Sequence, residues 1–252
     1  YNHSSRKGIA MKVYKIFSAL VLLFALCESL FGARPMNTDD GRVVAPQSCQ
    51  IESWAKFGGN PEFWALPACN FLFNTEMTIG GNLIHQDSMD SAIFGSSNES
   101  VYRGAVVFAL KKIFNDLERD GFSYGLSVGN ARMGRFLRHN DTFYTYALLS
   151  KAFFDNQLFL HTNVGYKATK SEKNLYTFGL GLEYDMNEYI WLMAEGFKER
   201  FSPAMYQIGI RIWLKRDMVQ IDCTYGNAFN QPFGRNMAFG SVGIRLLSEK
   251  LL

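Results

Sequence analysis

The feature that most restricts the fold is a strict two-residue alternation carried over long stretches. In "GFSYGLSVGNAR", Phe122, Tyr124, Leu126 and Val128 share one face, and Gly121, Ser123, Gly125, Ser127 and Gly129 the other. "LYTFGLGLEYD" sets Tyr176, Phe178, Leu180, Leu182 and Tyr184 against Thr177, Gly179, Gly181, Glu183 and Asp185. "QLFLHTNVGYK", "MYQIGIRIWLK" and "VQIDCTYGN" repeat the pattern. Successive side chains of a strand point to opposite faces, so these are β-strands with two different surroundings. At about ten to thirteen residues they exceed the ~5–6 of an ordinary strand and match the ~9–11 that a tilted strand needs to cross a bilayer. No apolar run reaches the ~20 residues of a transmembrane helix. A chain with this pattern can cross a membrane only as a closed barrel, in which every backbone group is paired.

The connections alternate in character. Tight ones lie near Asp155–Asn156, Asn187 and Asp217; longer polar ones run over His85 to Ser100, Gly134 to Asp141, "KATKSEKN" and "AFNQPFGRN". Short turns at one rim and long loops at the other are the outer-membrane arrangement. Twelve strands are expected, over residues 47–57, 61–70, 73–85, 101–113, 121–133, 142–154, 157–168, 175–186, 189–199, 205–215, 218–229 and 237–247. Ten is the alternative count, because bacterial barrels have even numbers. "NDLERDG" is longer than a tight turn, and "ACNFLFNT" carries no strong turn residue. The fold class is therefore all-β, a transmembrane antiparallel barrel. Tyr176 and Tyr184, eight residues apart on the apolar face, span about 20 Å of membrane height at ordinary rise and tilt, close to the spacing of two aromatic girdles.

The 252 residues carry a net charge of +3. Residues 1–32 account for all of it, with Arg6, Lys7, Lys12 and Lys15 against Glu28, so the remainder is neutral. That gives no support for the basic footprint of a nucleic-acid binder, and no nucleic-acid partner is expected. From Met11, the two lysines followed by the apolar stretch Ile16 to Leu26 read as a secretory signal, with cleavage after Gly32 or Ala33. The organisation expected is upstream residues and signal over 1–32, an N-terminal periplasmic segment over 33–46, and the barrel over 47–252. The cellular place expected is the outer membrane, with the lipid bilayer and the outer-membrane assembly machinery as partners.

"CQIESWAKFGGNPEFWALPAC" is nearly palindromic about Gly59. A turn there sets Lys56 opposite Glu62, Trp54 opposite Trp64 and Cys49 opposite Cys69; cross-strand pairs of such kinds stabilise by ~0.2–1 kcal/mol each. Cys49 and Cys69 then form either a disulfide, in an oxidising compartment, or two buried thiols. Cys223 falls on the apolar face as a small hydrophobe.

No nucleotide, metal or nucleophile motif is present, and no cofactor is expected: the glycines of "GLGLEYDMNE" lie inside a strand rather than before a helix, and the Cys and His spacings do not fit zinc. His85, Asp87 and Asp90 share one long loop, and His139 and Asp141 another. A His/Asp cluster can activate water or a serine, but solvated loop polarity is the simpler reading, and the chain is not expected to be an enzyme. By parity, Arg103, Lys111, His161, Asn163, Lys167, Glu183, Asp185, Gln207, Arg211, Asp222 and Arg245 line the lumen. Charges of both signs among small residues either pair internally or leave a narrow aqueous path. Twelve strands lie between filled eight-stranded barrels and open sixteen-stranded porins. Glu195 shares its parity with Trp191 and Met193, which implies a bulge or an apolar patch in the lumen.

"ARPMNTDDGRVVAPQSCQIESW", "EFWALPACN" and "EMTIGGN" resemble the opening of outer-membrane transporters of the phenol-degradation (meta-pathway) type. The matching positions are Ala33, Arg34, Pro35, Thr38, Asp39, Asp40, Cys49, Gln50, Glu52, Trp64, Pro67, Cys69 and Asn70, and the ending "SVGIRLL" resembles that group's last strand. The resemblance implies an outer-membrane barrel. Together with the polar inner face it points to passive passage of a small-molecule solute, with aromatic or apolar ones as the finer expectation. The long loop from His85 to Ser100 motivates the alternative, a non-conducting surface barrel whose loops bind a partner. A hydrolase at the loop rim is the third reading. Asp39 and Asp40 either tuck the N-terminal segment against the periplasmic rim or form a plain turn.

Overall fold

The structure is a computed structural model that describes residues 36–58, 61–86, 101–133, 142–169, 175–234 and 237–248. Twelve strands follow one another: β1 (Cys49–Phe57), β2 (Glu62–Leu72), β3 (Thr75–Gln86), β4 (Val101–Ile113), β5 (Phe122–Met133) and β6 (Thr142–Phe153). Then come β7 (Leu158–Thr169), β8 (Leu175–Asn187), β9 (Ile190–Glu199), β10 (Met205–Lys215), β11 (Val219–Ala228) and β12 (Phe239–Leu247). Each pairs antiparallel with its sequence neighbours, and β1 pairs with β12, so the sheet closes on itself and has no edge. The count is twelve, not ten.

The burial is inverted relative to a water-soluble domain. Leu126 and Leu180 are 55% and 43% exposed, whereas Ser150 and Glu183 are 0% and 2% exposed. Apolar side chains cover the outside on every strand from β4 to β10, among them Phe108, Leu149, Val164, Phe178, Leu192 and Ile208. Tyr176 and Tyr184 are both on that outer face. Such a surface is stable only against lipid. Replacing Leu180, near the middle of β8, by Arg is expected to lower stability by ~2–4 kcal/mol. Urea unfolding in lipid vesicles measures this, and a change below ~1 kcal/mol would mean that β8 does not face the hydrocarbon.

Of the five connections at the rim where β12 ends, four are tight turns and the one between β4 and β5 is longer. The β2–β3 turn is Phe73–Asn74, with φ of 44° and 54°. It is a two-residue turn in the left-handed region, where Asn is common, and nothing in "ACNFLFNT" but Asn74 signals it. "NDLERDG" folds as a one-turn helix, α1 (Leu117–Asp120), whose N-cap Asp116 accepts from the Arg119 amide and whose C-cap Gly121 sits at φ 72°. The extra length has a use: Leu117 turns into the barrel end and packs in a buried cluster with Phe159, Trp191 and Trp213.

The β1–β2 register sets Lys56 against Glu62, Trp54 against Trp64 and Cys49 against Cys69. The indoles stack nearly parallel at 5.3 Å, Lys56 Nζ lies 3.3 Å from Glu62 Oε1, and the two cysteines are joined by a disulfide. The bridge closes a loop of about 20 residues across the hairpin that starts the barrel. A Cys49→Ala/Cys69→Ala variant is expected to lose ~2–4 kcal/mol, read as an earlier heat-modified band on cold gels. Identical melting of variant and parent would show that hairpin pairing alone holds this corner.

Candidate functional site

Residues 36–48 do not lie outside the barrel. They enter it from the short-turn rim and run to about mid-height, held at each step by side chains from the walls. At the tip, Glu195 of β9 accepts from the Asn37 amide (2.9 Å), the Asn37 side chain (3.1 Å) and the Thr38 amide (2.8 Å). Asn163 of β7 accepts from the Asp39 amide (2.6 Å) and donates to the Asp39 carbonyl (2.9 Å). The Asp39 carboxylate takes Lys111 Nζ of β4 at 2.8 Å and the Tyr146 hydroxyl of β6 at 2.6 Å. Ser123 donates to the Gly41 carbonyl, Glu76 accepts from the Val44 amide, and Asn70 donates to the Val44 carbonyl. Asp39 and Asp40 therefore form neither a tuck against the rim nor a plain turn; Lys111 reaches both inside the lumen.

The segment fits because both surfaces are pared back. A Cβ on Gly179 would sit 2.6 Å from Thr38 Oγ1, and one on Gly41 would overlap Ser123 and Ser150. That is the use of the small face of "LYTFGLGLEYD": its glycines leave room for chain, and its Glu183 holds a charge network.

Arg42 is the hub of that network on the segment. Its Nη1 lies 2.9 Å from Glu183 and 3.4 Å from Asp40, and its Nε is 2.6 Å from Glu118 of α1. Its guanidinium stacks over Phe159 at 4.3 Å and near Trp191 at 5.6 Å. Burial works against its charge, but the carboxylates of Glu183, Asp40 and Glu118 outweigh that and raise its pKa above the ordinary arginine value. Glu183 also takes Arg211 Nη1 at 2.6 Å, and Arg211 forms a two-point pair with Asp222 through Nε (3.0 Å) and Nη2 (3.1 Å). Gln220 donates to Asp222 at 2.8 Å.

The expected lumen residues divide by height. Lys111, His161, Asn163, Glu183, Arg211 and Asp222 are buried and surround the segment; Gln207 is buried beside them on β10. Arg245 is buried on the adjoining strand β12, across from Gln220, with its Nε 2.8 Å from Gln50 Oε1 and 3.3 Å from Glu52. Lys167 and Asp185 are only half-buried; they sit nearer the rims, on Glu199 (3.0 Å) and Arg216 (3.4 Å). The side chain of Arg103 lies outside the described residues, as do Asp87, Asp90, His139 and Asp141, so the loop clusters containing them are not seen together; His85 ends on β3.

Sequence reading missed several partners. Gln50, Glu52, Glu76 and Gln220 had the parity of inward positions but were not counted among the lumen residues. Arg42 had no signal, since parity applies only inside strands. For Glu195 the structure selects the apolar patch over the bulge: β8 and β9 stay in register from Thr177/Glu199 to Asp185/Trp191, and Met193 and Trp191 are buried on Glu195's side. Phe159 and Trp191 stack at 5.6 Å, and Trp213 meets Trp191 edge-on.

One line of residues has the composition of a hydrolytic triad. Ser150 Oγ is 2.7 Å from His161 Nδ1, and His161 Nε2 is 3.5 Å from Glu183 Oε2. Ser150 is fully buried, with Gly41 packed against it, so its hydroxyl is closed to substrate and the line serves as wall structure. Among the described residues no group of three or more His, Cys, Asp or Glu is placed to hold a metal.

Two cavities flank the segment. The one at the short-turn rim measures about 820 Å³ and is lined by Arg42, Phe159, Trp191, Arg211, Trp213 and Arg216 among others. The one on the long-loop side measures about 380 Å³, has Asn37 and Asn163 in its floor, and carries Tyr144, Tyr146, Phe197, Phe239, Lys56 and Lys167. The segment is the partition between them.

Solved structures share this architecture. The KdgM porin in complex with disordered oligogalacturonate is similar at a TM-score of 0.58 and 9% identity, covering 79% of this chain and 98% of that one. The NanC porin is similar at a TM-score of 0.53 and 11% identity, covering 81% and 100%. Among curated proteins none matches the chain. The family model described as Uncharacterised conserved protein UCP029691 matches residues 20–245; the chain belongs to that family and folds as an outer-membrane porin-like β-barrel.

Proposed function

We propose that the barrel is a passive channel for small molecules, with the N-terminal segment as its constriction. The observation that carries this reading is the pair of cavities, about 820 and 380 Å³, separated by a chain segment rather than by wall side chains. A partition that is bound through side chains such as Glu195, Asn163 and Glu76 can leave without breaking the sheet, whose ladder is intact all round. Aromatic or apolar solutes fit the loop-side cavity best, since Tyr144, Tyr146, Phe197 and Phe239 dominate its lining. This agrees with the resemblance to transporters of the phenol-degradation type. Oligogalacturonate belongs to the KdgM porin, and its passage is no part of this reading. Insertion by the outer-membrane assembly machinery, after removal of residues 1–32, belongs to the proposal, as do the eleven lumen positions named from parity.

Planar-bilayer recording, paired with uptake of a small aromatic solute into liposomes, tests the channel. Conductance with solute flux is the expected result. A folded barrel that passes neither ions nor solute removes this reading. It would leave the rival one, a non-conducting barrel, which the presence of chain at mid-lumen favours.

A further inference from the structure

We propose that the short-turn rim carries a built site for a glycerophospholipid, with its phosphate on Lys112 and an acyl chain in the groove beside the β2–β3 turn. The inference rests on the membrane-barrel fold and is independent of whether the lumen conducts.

The turn itself is the first observation. Phe73 occupies a left-handed position, φ 44°, with its ring 82% exposed. A bulky L residue is an outlier there, and Asn or Gly is the ordinary choice. The β6–β7 turn repeats the arrangement: Phe154 has φ 54° and is 73% exposed. Two tight turns on the same rim thus hold an aromatic ring outward in a backbone conformation that works against it. Contact with water alone gives no return for that.

The second observation is the groove. A cavity of about 570 Å³ lies at the short-turn rim between Pro46, Leu72, Phe73, Ile113 and Phe114, with Lys112 in its lining. It is continuous with the lipid-facing belt, since Leu72 and Phe114 are exposed and Lys112 pairs across the sheet with the outward Leu126.

The third is charge. Lys112 has the parity of Val106, Phe108 and Leu110, so it points away from the lumen, where a cation in an apolar belt is costly unless it reaches the headgroup layer. Its ammonium donates to the Phe73 carbonyl, and among the described residues no carboxylate pairs with it. An ammonium has three donors, which leaves two for an anion at the groove mouth. Lys151, near the end of β6 at the same rim, pairs with Phe122 and is exposed. An apolar groove ending on an outward cation is complementary to an amphiphile with one acyl chain buried and a phosphate at the boundary. A partner protein would need acidic and apolar groups at the same depth in the membrane, so lipid is the simpler occupant.

Native mass spectrometry of the detergent-purified full chain with added phosphatidylglycerol tests the site. Wild type is expected to keep a bound lipid, Lys112→Arg to keep it, and Lys112→Gln to bind about tenfold more weakly, the loss of one charge-assisted contact. Heat-modifiable gel migration checks that each variant is folded. Full retention by Lys112→Gln, or equal loss by Lys112→Arg, overturns the assignment. Because Lys112 also holds the turn, a second measurement leaves it in place: Phe73→Trp in vesicles of brominated phosphatidylcholine. Strong quenching of the added tryptophan over the parent's signal is expected; an unquenched residue 73 would put the turn in water and defeat the proposal.

Discussion

A barrel lacking residues 36–45 is expected to conduct severalfold more current than the full chain. The deletion removes the partition between the two cavities without touching a strand, since β1 begins at Cys49. The wall groups it leaves behind, Glu195, Asn163, Lys111 and Glu183, are then hydrated by the widened path, so the cost to stability stays small beside that of a buried unpaired charge. Glu195→Ala is expected to give the same result in milder form, because one carboxylate holds three donors at the tip and hydrogen bonds to a charged group contribute ~1.5–3 kcal/mol each. The opposite variant locks the partition in place. A Cβ on Gly181 would lie 3.4 Å from the Thr38 Cβ, close to the ~3.5–4.5 Å of a disulfide. Oxidised Thr38→Cys/Gly181→Cys should therefore conduct less than wild type and recover on reduction. Single-channel recording reads all three, and equal conductance across them would show that the segment does not set the path.

Arg211→Leu is expected to cost ~3–5 kcal/mol, the largest loss of any single substitution in the lumen. Arg211 is 3% exposed and stands between Glu183 and Asp222, which are 2% and 0% exposed. Removing the cation leaves two carboxylates close together with half their partners gone. Arg42 keeps its contact with Glu183, but its other partners are Asp40 and Glu118, so Asp222 loses its cation. Arg211→Lys should recover little, because one ammonium cannot reproduce the two-point contact with Asp222 and the third to Glu183. Urea unfolding in vesicles measures the change. A loss under ~1 kcal/mol would mean that water reaches this part of the wall and screens the pair.

These two results separate two roles that look alike in the sequence. Glu183 and Glu195 are both acidic residues at inward positions of adjacent strands. Glu183 is bound mainly to the wall, through Arg211, and only secondarily to the segment, through Arg42. Among the described residues, Glu195 hydrogen-bonds to the segment, at Asn37 and Thr38. The first should govern stability and the second gating.

The strands were legible because their signal is local. A strand's two faces meet lipid and lumen along its whole length, so every second residue in β5 or β8 reports its surroundings. The β1–β2 register was legible for the same reason: three complementary pairs, Lys56/Glu62, Trp54/Trp64 and Cys49/Cys69, agree on one turn. The β2–β3 turn was poorly marked because Phe73, an exposed aromatic residue, stands where a turn residue is usual.

By itself the sequence determined an all-β chain of twelve long alternating strands, closed by the need to pair every backbone group in lipid, with a polar interior. Only the tertiary structure decided what fills that interior. Thr38 meets Glu195 across 157 residues and Arg42 meets Glu183 across 141. Closing the barrel first brings β7, β8 and β9 around a segment that has no periodicity of its own. Parity tells a side chain which way to point, but not which distant chain will be there; that depends on where twelve walls meet.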